Sequence, residues 1–121
     1  MIKRALVVTA LLVFFVNVSF VNVSAEPIKG SGAKSCGSWL KERRNGTYAL
    51  DLNWILGFIS AYNHYIDNES HSNGVFGSAD PEAVAAWMDN YCGENPLSNP
   101  YTGSVKLIEE LREKRRRVLS K

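Results

Sequence analysis

Apolar residues fall along the chain in two distinct patterns. Ala5 to Val16 is an unbroken apolar run apart from Thr9, and a more polar stretch follows from Asn17 to Ala25. From Ser35 onward the apolar positions are spaced, recurring with the i, i+3, i+4, i+7 period of amphipathic helices. No segment shows sustained period-two alternation, so little or no sheet is expected.

The spacing predicts four helices. Ser35 can cap a short first helix from Cys36 to about Arg44, with Trp39 and Leu40 apolar and Asn45-Gly46 ending it. The second, roughly Tyr48 to Asp67, is the strongest segment. Leu52, Ile55, Leu56, Ile59 and Ile66 mark one face with Tyr62 beside them, and Trp54, Phe58, Ala61 and Tyr65 mark another. A helix apolar on two faces is expected in the middle of a bundle. Gly57 costs about 1 kcal/mol in a helix interior. With Ser60 and Ala61 it offers a small-residue patch against which another helix can pack closely. Residues 68–79 read as a polar, glycine-containing loop. Asp80-Pro81-Glu82 is a helix start, with an N-cap, a proline at N1 and an acid in the first turn. Val84, Trp87, Met88 and Tyr91 carry that third helix to Cys92-Gly93. The X-Pro steps at Pro96 and Pro100 fold the chain back into a last helix from about Tyr101, with Val105, Ile108 and Leu111 on its buried side. The expected fold class is all-α, a small four-helix bundle, with Trp39, Trp54 and Trp87 in its core.

Composition narrows the class further. A length of 121 residues allows one small domain, and 45% hydrophobic with 21% charged residues is an ordinary globular balance. No dinucleotide, P-loop, kinase or zincin fingerprint is present, and no cofactor is expected. Lys3 and Arg4 before the apolar run, with Val23 and Ala25 at the −3 and −1 positions, read as a secretory signal cleaved before Glu26. An uncleaved anchor is the alternative. The expected organisation is a signal peptide over 1–25, a flexible leader over 26–34, a helical domain over 35–111 and a basic helix end over 112–121. The expected location is periplasmic or secreted, with membrane contact only through the signal. Cys36 and Cys92 are the only cysteines, and an even count in an exported chain reads as a structural disulfide. That bond closes a loop of about 57 residues, worth roughly 4 kcal/mol by chain entropy.

The charge is unevenly placed. Residues 26–111 hold 6 basic and 11 acidic side chains, whereas 112–121 hold 6 basic and 1 acidic. A basic run of this kind can touch nucleic acid or anionic lipid, but cations at a helix C-terminus also complement the dipole, which is the simpler account. No nucleic-acid partner is expected.

Candidate chemistry is thin. His64, Asp67, Glu69 and His71 come nearest to a metal-ligand set, but their spacing matches no established pattern and no metal is expected. Ser35, Ser38 and Ser60 lack a nucleophile context, and the paired acids Asp67/Glu69 and Glu109/Glu110 read as solvated charge, so the chain is not expected to be an enzyme. Binding remains. Val75 and Phe76 form an apolar pair between glycines in the polar loop, either a lid on the core or a partner-anchoring tip.

Cys36 at the start of a short helix, Trp54-Ile55-Leu56-Gly57-Phe58 on the next, a charged loop, a helix ending in Cys92 and a proline turn into a final amphipathic helix form a recognisable order. It resembles the small periplasmic HdeA/HdeB-like proteins, disulfide-bonded helical acid-stress chaperones. It is also similar to immunity proteins of the Tai/Rap kind, small helical proteins that neutralise peptidoglycan-amidase effectors of type VI secretion, with Gly57 to Tyr62 like their aromatic-glycine helix. The resemblance implies a stress-response chaperone of unfolded clients or, alternatively, an immunity protein with a specific protein partner. A homodimer is compatible with either. A secreted interaction protein tied to neither family is a third expectation.

Overall fold

A computed structural model describes residues 27–66 and 74–121. Four helices form, α1 (Cys36–Asn45), α2 (Ala49–Tyr65), α3 (Pro81–Glu94) and α4 (Pro100–Leu119), with single 3-10 turns at Gly30–Ala33 and Gly74–Phe76. Among the described residues there is no strand, and the architecture is an all-α four-helix bundle. The expected signal segment lies outside the described residues.

Local chemistry sets most helix ends. The Ser35 hydroxyl accepts from the Ser38 N–H, Asp80 from Ala83 and Asn99 from Thr102, each satisfying a first-turn donor. Pro81 and Pro100 occupy first-turn positions where no N–H is needed. Gly46 closes α1 at φ +71°, donating to the Glu42 and Arg43 carbonyls.

The core collects Trp39 from α1, Leu52, Ile55 and Ile59 from α2, Val84, Ala85 and Met88 from α3, and Leu107 and Ile108 from α4. Cys36 and Cys92 are fully buried and bonded, with Cα atoms 4.9 Å apart, tying the start of α1 to the end of α3. Beside them Arg43 grips both oxygens of Asp89 at 2.9–3.0 Å, and the Trp39 indole N–H donates to the same carboxylate at 2.8 Å. These contacts lock α1 onto α3.

Four expectations are corrected. The leader is not free: Lys29 accepts from the Trp54 indole at 3.1 Å, and Gly32 is buried under the Trp54 ring, where any side chain would collide. Trp54 and Trp87 are half-buried rather than core, each spending its N–H at the surface, on Lys29 and on Glu110. Gly57, Ser60 and Ala61 are exposed, and a Cβ on Gly57 would meet nothing. Gly57 lies two residues, or about 200°, from buried Ile55, so it faces outward. The close approach is made instead by Gly103 on α4, where a Cβ would meet Met88 Sδ at 2.6 Å and Tyr91 Cδ1 at 2.9 Å. Finally, α4 buries Pro100, Gly103, Ser104, Leu107 and Ile108, and Val105 falls at the edge of that stripe.

Candidate functional site

The loop that precedes α3 is anchored more firmly than its composition suggests. Gly74 takes φ +54°, and its missing side chain leaves room for Asn63 of α2. Asn63 then accepts from the Val75 N–H at 2.8 Å. This turn drives Val75 into the core at 3% exposure and leaves Phe76 half-buried against it. Val75 is therefore not at an exposed tip, which corrects its reading as a partner anchor. Phe76 packs on the core as a lid while keeping an open edge.

Facing that edge is the second half of α4. Residues 74–79 and Ala83 form one wall of an open groove of about 430 Å³, and Leu111, Lys114, Arg115 and Val118 form the other. Its apolar contacts come from Phe76, Ala79, Ala83, Leu111 and Val118, and its cationic rim comes from α4 alone. Val118 is 67% exposed. Leu111 and Val118 stand two helical turns apart on one stripe. That spacing is readable in the sequence, but the turn that places Phe76 opposite depends on Asn63, to which no sequence motif points.

A second cluster joins the leader to the bundle. Asp51 is completely buried at the start of α2, and its Oδ1 accepts from Lys34 Nζ at 2.8 Å. The same ammonium donates to Glu42 at 2.9 Å, while Asp51 Oδ2 has no hydrogen-bond partner. Burial works to raise the Asp51 pKa, but Glu42, Lys34 and Ser31 more than offset it and hold the carboxyl below its ordinary range. Lys34 is held above its ordinary value by hydrogen bonds to Asp51 and Glu42.

The candidate ligand set is not assembled by the described residues. His64 is exposed near the end of α2, stacked edge-on against Tyr65, while Asp67, Glu69 and His71 lie outside the described residues. Among the described residues no group of three His, Cys, Asp or Glu side chains is placed to hold a metal ion. No described helix is long and apolar enough to cross a membrane.

Fold and groove together define a small, disulfide-stapled helical bundle with an apolar cleft at the end away from its disulfide. Comparison with family models, curated protein sequences and solved structures returns no match.

Proposed function

We propose that this chain is an exported, non-enzymatic protein-binding domain that acts as an acid-stress chaperone, holding apolar segments of unfolded clients between Phe76 and α4. The groove carries the reading. An open apolar cleft of about 430 Å³ on a chain this small is surface the fold does not need for its own core. Its apolar walls bind irrespective of the ionisation state of a client, and acid is the condition under which proteins loosen and expose such segments. The disulfide supports the same reading, because it constrains the bundle under conditions that open other proteins.

The test is suppression of aggregation of an unrelated client by the oxidised protein at about pH 2.5, where carboxylates are protonated, and at about pH 7. Suppression in acid that is lost in Val118→Asp is expected, since this exposed side chain can change without disturbing the core. Phe76→Ser should show the same loss. Absence of suppression at both pH values would overturn the reading.

A second reading, an immunity protein that neutralises a cell-wall hydrolase, is favoured by Leu97. This leucine is 102% exposed on a turn braced by Cys36 N–H donating to Ser98 O at 2.9 Å and by a Tyr91–Ser98 hydroxyl hydrogen bond at 2.7 Å. A rigid apolar knob limits the ordering cost of binding a folded partner. Under this reading the protein inhibits a purified peptidoglycan amidase and Leu97→Asp does not.

A further inference from the structure

The last turns of α4 carry more than the groove uses. Between residues 112 and 121 stand 6 basic side chains and 1 acid, on a body over 26–111 with 6 basic and 11 acidic. The acid, Glu113, is already paired with Arg116 and Arg117. Dipole complementation accounts for Arg116 and Arg117 in the final turn. Arg112, a turn earlier, lies over the Tyr62 ring at 6.0 Å with its charge still at the surface, and neither that contact nor the dipole accounts for an exposed leucine among the arginines. Leu119 is 63% exposed and sits with Arg112, Arg115, Arg116 and Ser120 around a second hollow of about 260 Å³, which adjoins the groove at Arg115. At about 100° per residue, Leu111, Arg115, Val118 and Leu119 share one arc of the helix. Arg112 and Arg116 border that arc on one side and Lys114 on the other.

We propose that this end of α4 docks on an anionic lipid bilayer. Leu119 enters the boundary between headgroups and acyl chains, and Arg112 and Arg116 beside it meet lipid phosphates. The charge distribution fixes the orientation: the acidic body is repelled by the surface that attracts the helix end, so the molecule stands on its C-terminal tip. A folded acidic partner would satisfy the arginines, but the exposed leucine ringed by cations matches a bilayer interface more closely.

The experiment measures binding of the full chain to vesicles of phosphatidylglycerol mixed with phosphatidylcholine, and to phosphatidylcholine alone. Wild type should prefer the anionic vesicles and lose affinity steeply with salt. Removing two charges in Arg112→Gln/Arg116→Gln should weaken that binding about 25-fold, at roughly fivefold per charge. Leu119→Ser should weaken it about tenfold. None of these three positions lines the groove, so client binding is expected to survive in both variants. Residues 1–26, with their own apolar run, are identical in every protein compared, so the readout is the change in anionic-over-neutral preference from wild type to variant rather than the absolute affinity. Equal binding to both vesicle types, or unchanged affinity in either variant, would overturn the proposal. So would capture of polyaspartate without capture of anionic vesicles.

Discussion

The Lys34–Asp51 pair makes an asymmetric prediction that separates a buried charge from an exposed one. Asp51 is 0% exposed, whereas the Lys34 side chain is 39% exposed. In Asp51→Asn the remaining ammonium can turn to water and keep Glu42 as its partner, so the loss is that of one charge-assisted hydrogen bond, about 1.5 kcal/mol. In Lys34→Met the remaining group is a carboxylate with no cation beside it and one oxygen already unpartnered. Stranding a buried charge in this way costs about 3 kcal/mol or more at neutral pH. The lysine variant should therefore melt lower, by roughly 15 °C against about 7 °C for the aspartate variant, at the shift per kcal/mol typical of a domain this small. The two should also diverge with pH. The folded Asp51 pKa is lowered by Glu42, Lys34 and Ser31 against the opposing effect of burial. Its stabilisation is thus present above the unfolded value, about pH 4, and fades as pH falls through the lower folded value. The raised Lys34 pKa works at the other limit, holding its contribution below about pH 10.4 and losing it as pH rises through the folded value. In acid the orphaned Asp51 of Lys34→Met takes up a proton, and most of that variant's deficit should disappear. Thermal unfolding followed by circular dichroism at about pH 7 and about pH 3 reads all of this. Equal deficits in the two variants, or a Lys34→Met deficit that persists in acid, would refute the reasoning.

Three further outcomes follow from the same structure and are checked by the same melts. Gly57→Ala should stabilise by about 0.5–1 kcal/mol, because the position is helical and open. Gly103→Ala should destabilise by about 1–3 kcal/mol, because its Cβ enters the space of Met88 and Tyr91. Reducing Cys36–Cys92 should cost roughly 4 kcal/mol, lowering the melting temperature by about 20 °C, and a reduced protein that melts with the oxidised one would contradict the stapling role.

Much of the fold was legible because its signals are local. Ser35, Gly46, Asp80 and Pro81 act within one turn of where they stand, and the helices begin and end beside them. Packing partners were less legible. The apolar residues of α2 do mark two faces, but nothing in their spacing says that the partner over Trp54 is a glycine turn of the leader rather than a helix. Gly57 and Gly103 are equivalent as letters, and only the rotation of each helix decides which one faces a neighbour. The groove was half legible: Phe76 stands out as an aromatic in a polar loop and Leu111 as an apolar helix position, while Val118 lies in a run that reads only as charge. Asp51 gave no sign at all, since an acid in the first turn of a helix is ordinarily explained by the dipole.

The bundle is built with its main constraints at one end and its groove at the other. Cys36, Cys92, the Ser98 brace and the Asn99 cap gather where α1 begins, α3 ends and α4 begins. From Pro100 to Val118 the helix rises about 27 Å at 1.5 Å per residue, which carries the groove and the basic tip well clear of that staple. A disulfide constrains the unfolded chain wherever it sits, but its effect on local opening is greatest near itself. The segment 74–79 is tied to α2 by a single side-chain hydrogen bond from Val75 to Asn63. Opening it costs that bond and the burial of Val75, while the stapled far end stays folded. Asn63→Ala should accordingly raise amide exchange across residues 74–79 and leave Trp39 to Arg43 protected. If both regions open together, the groove is not an independently mobile site, and client capture would require unfolding of the whole bundle.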